Sequence, residues 1–104
     1  MAFNNQLTKN VTTSATAVVD APATGTKTLI GLSISNTTGS GILVDAYITK
    51  SGFNYYLIKN APINAGGTLV VIGGDQKVVL NTTDTVYAVS SVATSADAVA
   101  SFLL

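Results

Sequence analysis

The stretch Leu29–Lys50, "LIGLSISNTTGSGILVDAYITK", decides the fold. In its first part Ile30, Leu32 and Ile34 fall on one face, and Gly31, Ser33 and Ser35 on the other. A side-chain period of two is that of a strand with one face in a core and the other toward solvent or a partner. The second part repeats it, with Ile42, Val44, Ala46 and Ile48 opposite Asp45, Tyr47 and Thr49. Between them "NTTGSG", Asn36–Gly41, is polar and bears glycine, which reads as a hairpin loop.

Outward from this stretch, apolar or alternating segments recur between clusters of Gly, Asn, Asp and Thr. The pattern predicts strands at Gln6–Thr13, Ala15–Asp20, Thr26–Asn36, Gly41–Lys50, Phe53–Lys59, Gly67–Ile72, Gln76–Leu80, Asp84–Val92 and Asp97–Leu104. "KSG" turns the chain at Lys50–Gly52, while "NTTD" at Asn81–Asp84 and "TSAD" at Thr94–Asp97 read as tight turns. Only Ala93–Ala96 leaves room for a short helical turn. Short strands with turn signals every ten residues or so indicate a sandwich or barrel, and the fold expected is an antiparallel β-sandwich, jelly-roll-like, with eight or nine strands and little or no helix. The 104 residues read as one domain, residues 1–104, with residues 1–6 as an extended N-terminal arm.

Composition points the same way. All five acids are Asp and all five bases are Lys, and Glu, Arg, His, Cys and Trp are absent. Charged residues are 10% of the chain, against roughly a quarter in ordinary soluble domains. The straight-chain charged residues that cover helix surfaces are therefore nearly missing, while β-branched Thr and Val are abundant. Zero net charge offers no basic stripe for phosphates, so no nucleic-acid partner is expected. No apolar run approaches the eighteen or so residues of a membrane span, and "MAFNNQLTKN" has no signal-peptide character, which predicts a chain made and left in a cytoplasm.

Chemistry is hard to find. Without His, Glu or Cys there is no general base tuned near neutrality, no Ser–His–Asp or Cys–His pair and no thiolate ligand. The closest pair of aspartates in sequence, Asp75 and Asp84, is too widely spaced for a calcium loop. "AGG" (Ala65–Gly67) and "GGD" (Gly73–Asp75) lack the lysine of a phosphate cradle and read as turns. The sequons at Asn10, Asn36 and Asn81 are by-products of an Asn- and Thr-rich chain. The expectation is no enzyme, no catalytic residue, no metal and no cofactor.

Contact residues are the more promising class. "SGFNYYLIK" gathers Phe53, Tyr55 and Tyr56; alternation sets Phe53, Tyr55 and Leu57 on one face and Tyr56 and Ile58 on the other, so at least one tyrosine is outside. At the two ends Phe3, Leu103 and Leu104 are apolar in places where exposure invites association. These six residues are the candidate partner contacts. In "IKNAPINAGGTLVV", Ile58–Val71, Pro62 cannot donate to a ladder and Gly66 and Gly67 allow a change of direction. That segment reads as a corner between sheets and not as a binding loop.

Four runs in order, "ISNTTGSGILVDAYI", "YYLIKNAPINAGGTLVV", "KVVLNTTDTVYAVSS" and "DAVASFLL", resemble small β-sandwich virion proteins of tailed bacteriophages, nearest to capsid cement (decoration) proteins. The resemblance implies a structural subunit that binds across joints of the major capsid protein or other virion proteins, commonly as a trimer and otherwise a dimer. Its place would be the virion, assembled in the host cytoplasm. Neck, tail and fibre components share the sandwich type, and a receptor- or carbohydrate-binding module is the alternative that the Tyr55–Tyr56 pair suggests.

Overall fold

The computed structural model describes residues 2–104. Nine strands follow one another without a helix among the described residues: β1 (Phe3–Val11), β2 (Thr16–Val19), β3 (Lys27–Asn36), β4 (Ile42–Lys50), β5 (Phe53–Ile63), β6 (Thr68–Ile72), β7 (Val78–Leu80), β8 (Thr85–Ser90) and β9 (Ala96–Leu103). They form two antiparallel sheets, here A and B. Sheet A runs β1-β9-β3-β6 with β7 also on β3, and sheet B runs β2-β8-β4-β5. Apart from the short β7, this is the strand order of a jelly roll: the outermost strands in sequence pair, then the next pair inward.

The core lies between the sheets and is unevenly filled. Central strands β9, β8 and β4 contribute the alanines Ala96, Ala98, Ala100, Ala88 and Ala46, while β3 and β6 contribute Leu29, Leu32, Ile34 and Ile72, all buried. Small residues on the middle strands leave volume that the long aliphatic ones occupy, which is how an interior reaches crystal-like density.

Three expectations are corrected. First, "NTTGSG" is not a hairpin loop, because β3 and β4 lie in different sheets and Asn36–Gly41 carries the chain from A to B. Second, Ile30 does not face the core. A register shift between Leu29 and Gly31 opposite β9 inserts a bulge, so Leu29 takes the buried position and Ile30 is half-buried. Third, the N-terminal residues are no free arm from Phe3 onward: Phe3, Asn4, Asn5 and Gln6 pair with Leu103, Phe102, Ser101 and Ala100. Met1 of that segment lies outside the described residues. Ala93 and Thr94 form a turn and not a helix, and Ala96 already opens β9.

The turns at "KSG" and "NTTD" form as read, but "TSAD" does not, because Ala96 and Asp97 already belong to β9 and the turn precedes them. Ser51 and Gly52 both have positive φ, 53° and 82°, the geometry of a two-residue type I′ hairpin between Lys50 and Phe53. The corner holds as well, although β5 runs further into it than expected, to Ile63. Pro62 sits opposite Leu43 on the edge strand of sheet B, where a missing N–H is tolerated. The turn itself is Asn64–Gly67, closed by the Gly67 N–H on the Asn64 carbonyl at 2.8 Å, with Gly66 at φ 71°. A positive φ at the third turn position is what favours glycine there.

One side chain ties this corner down. Asn36, buried at the end of β3, donates from Nδ2 to the carbonyls of Ser40 (2.7 Å), Ile63 (3.0 Å) and Asn64 (3.2 Å). Its Oδ1 accepts from the Thr38 N–H and hydroxyl, and its own N–H donates to Gly67 O. An isosteric Asn36→Asp replaces the donor with an anion facing three carbonyls. It is expected to lower the stability by about 2–4 kcal/mol, read as a lower urea midpoint with an unchanged slope; a loss below half a kcal/mol would mean the amide is dispensable.

Candidate functional site

The six candidate contact residues do not form one site. Phe3 and Leu103 are register partners on β1 and β9, with Phe3 fully in solvent and Leu103 half-buried. Leu104 is half-exposed at the same end of the sandwich. Phe53 and Tyr55 lie at the tip of the β4–β5 hairpin, opposite Lys50 and Ile48. Residues 53–56 are exposed on both faces of β5, so no opposing sheet covers this tip. Tyr56 points to the other face. Sequence alternation places Tyr55 and Tyr56 on opposite sides, and they remain there.

Tyr56 has companions that the sequence did not bring together. Across sheet B the register aligns Tyr87, Tyr47 and Tyr56 on the outer face. The Tyr47 ring centroid lies 5.2 Å from Tyr56 and 5.9 Å from Tyr87, within the range of favourable aromatic pairs. Lys59 adds its ammonium 4.6 Å from the Tyr56 ring. Tyr47 is the buried middle member: burial above all, then the neighbouring Tyr56, Tyr87 and Asp45, raises its phenol above the ordinary tyrosine value.

Leu7, Val70, Val79 and Val99, which the sequence reading missed, join Phe3 and Leu103 on an exposed surface, the outer face of sheet A. Two apolar rows cross it. Leu7, Val99, Ser33 and Val70 are successive register partners, and so are Phe3, Leu103, Thr28 and Val79. Phe3, Leu7 and Val70 are 78%, 68% and 65% exposed. Between the rows lie Ser101 and Gly31, so the middle of the face is low. The charged residues on it are Lys9 and Asp97, paired with one another at 2.9 Å. The alternation of β9 was visible in "ADAVASFLL": Ala96, Ala98, Ala100 and Phe102 face the core, and Asp97, Val99, Ser101 and Leu103 lie outside.

The aspartates hold backbone and do not gather: no group of three or more acidic residues comes together among the described residues. Two of them repeat one construction. Asn10 and Asn60 sit in edge strands β1 and β5 at positive φ, 58° and 51°, each at or beside a register shift. Their N–H groups donate to Asp97 Oδ1 (3.2 Å) and Asp45 Oδ1 (2.7 Å) on the adjacent strands, and the preceding lysines, Lys9 and Lys59, pair with the same carboxylates. The repeated dipeptide Lys-Asn was the available signal. Asp84 instead closes its own turn, accepting from the Asn81 N–H at 2.9 Å with Lys50 at 3.5 Å.

Comparison with known proteins returns nothing: no family model matches, and no curated protein or solved structure is similar enough to show kinship.

Two titrations check this surface. The Asn81 N–H, then Lys50, holds the Asp84 carboxyl below its ordinary value, and Lys9, then the Asn10 N–H, does the same for Asp97. A depressed folded-state pKa gives stability that is present above the unfolded value, about 3.9, and is lost as pH falls through the lower folded value. The urea midpoint is therefore expected to hold near neutrality and fall below about pH 4, with a shallower acid fall in the Asp84→Asn, Asp97→Asn double variant. In alkaline absorbance titration Tyr47 ionises after the ordinary tyrosine range near 10. Tyr47→Phe is expected to remove that late phase, and its persistence would reassign it.

Proposed function

We propose that this chain is a non-enzymatic structural subunit of a bacteriophage particle, acting as a capsid cement protein that seats a sheet face on the major capsid protein or another virion protein. The observation that carries this reading is the outer face of sheet A. Four strands about 4.8 Å apart and eight residues of about 3.3 Å each make a face of about 500 Å². That is the area of the whole face, its polar residues included, and about two-thirds of one side of a standard interface near 800 Å². Its two apolar rows, its low centre and its one internally paired charge couple suit burial against a flat neighbour. Zero net charge removes the long-range repulsion that keeps small domains apart.

Further support is indirect. Jelly rolls are common in virus shells, but also in lectins and cupins, so the topology alone names no function. The virion assignment rests on the pattern resemblance in the four sequence runs, and so does the preference for a trimer, whereas self-association itself is expected from the apolar "SFLL" end and zero net charge. Repetition of a particle gives avidity, so each contact need not be strong.

A second reading, a receptor- or carbohydrate-binding module, is favoured by the Tyr87–Tyr47–Tyr56 row, because sugars stack on exposed aromatic faces. Specific signal on a glycan array that disappears in Tyr56→Ala would select it.

For the leading reading, the copy number of this chain in purified particles is expected to be comparable to that of the major capsid protein; a copy number like that of a neck or tail ring would move it there. Val70→Asp with Val99→Lys puts charges on the Leu7–Val99–Ser33–Val70 row of the face. The pair is expected to leave the folding free energy within about 1 kcal/mol, as surface changes do, and to abolish both particle binding and self-association in sedimentation. Unchanged association would remove sheet A's face from the proposal.

A further inference from the structure

At the end of the sandwich away from Asn36, the chain between β2 and β3 arches over an open cavity of about 650 Å³, within the range of small-molecule sites. The arch, Ala21–Thr26, forms one wall, and Phe102, Leu104, Asn4 and Asn5 form the other. Lys27 also lines it. Lys27 lies on the core side of β3, in alternation with Leu29, and is only 7% exposed. Its Nζ donates to the Asp20 carbonyl at 2.6 Å and stands 4.2 Å from the Phe102 ring centroid. No carboxylate lies within 4 Å of it among the described residues.

A lysine this deeply buried is nearly always charge-paired. An ammonium has three donors, and the carbonyl takes one. Phe102 offers the ammonium its negative face, which stabilises the cation without neutralising it. Two protons of Lys27 therefore remain at the wall of a cavity whose other polar side chains, on Asn4, Asn5, Thr24 and Thr26, are neutral, and no carboxylate, the Leu104 terminus included, comes within 4 Å of its Nζ. The rest of the wall is apolar: Ala21, Pro22, Ala23 and Phe102. We propose that this cavity is a binding site for a small monocarboxylate, with the carboxylate on Lys27 and a short apolar body against Pro22 and Phe102. One cation without arginine or a second lysine matches a single negative charge and not a phosphate dianion. The site adjoins the Phe3–Leu103 end of sheet A through Asn5 and Leu104, and it does not depend on the proposed function.

Sodium butyrate is the probe, titrated against sodium chloride at equal ionic strength. Amide NMR of the wild-type chain is expected to show saturable shifts at Ala23–Lys27 and Phe102, and the thermal midpoint to rise with butyrate concentration as binding to the folded state requires. Inorganic phosphate is expected to give a smaller shift at the same residues. Lys27→Met is expected to lose the butyrate response whatever its own stability, whereas a lysine that only pins the arch would lower the midpoint without creating any anion dependence. Absence of saturable shifts in the wild type, equal shifts with chloride, or a butyrate response retained in Lys27→Met would each overturn the site. If Lys27→Met does not fold, the wild-type shift map decides alone.

Discussion

The side-chain amide of Asn36 is the interaction on which the rest of the sandwich depends. A jelly roll must change sheets repeatedly, and here the connections β1–β2, β3–β4, β5–β6 and β8–β9 all cross between sheets at one end. Crossing segments leave their ladders, so their carbonyls and N–H groups need other partners or they carry a desolvation penalty. Asn36 satisfies the β3–β4 loop and the β5–β6 corner together. Neighbouring backbone bonds extend the same web to the other two crossings: Thr37 N to Ser95 O, Ser95 N to Val11 O and Ser90 N to Thr12 O. The serine pair Ser90–Ser95 closes the β8–β9 turn inside it. One end of the molecule is thus locked by short polar groups, while the opposite end, with the Lys27 cavity and the aromatic hairpin tip, is open.

A two-sheet barrel that does not close has edges, and free edges pair with other chains. Strands β1 and β5 are edges here, on different sheets and different sides. Each carries a Lys-Asn bulge gripped by an aspartate from its inner neighbour, and β5 adds Pro62. Left-handed Asn breaks the regular row of edge donors, and the lysine sets a charge beside it. With so few charges in the chain, committing two Asp–Lys pairs to these places shows where uncontrolled association had to be prevented. The faces, in contrast, are left apolar. Association is steered from the edges to the faces.

Much of this was legible in sequence because strand physics is local. The period of two fixed β3 and β4 as strands, the turn chemistry of "KSG" and "NTTD" placed the hairpin and the tight turn, and Pro62 with the glycine pair marked the corner. What failed was long-range. "NTTGSG" has hairpin chemistry, yet whether two strands pair or part depends on partners far along the chain, β9 and β6 for β3 and β8 for β4. Ile30 lost its core place to Leu29 through a bulge that no residue type announces. The exposed face was hidden for a related reason: β9 sets Ala96, Ala98, Ala100 and Phe102 inward and Asp97, Val99, Ser101 and Leu103 outward, and Val99 and Leu103 join an apolar surface only through their register with β1 and β3. The tyrosine row and the Lys27 cavity required register and topology together.

Asn36 also begins an Asn-Thr-Thr sequon, and both protons of its amide are engaged inside the fold. An oligosaccharide would replace one of those protons with a bulky chain that has no exit from the corner. Production host is therefore not a neutral choice for this chain: in a secretory pathway that glycosylates unfolded chains, modification at this position would compete with folding itself, whereas synthesis without such machinery leaves the amide free to close the sandwich.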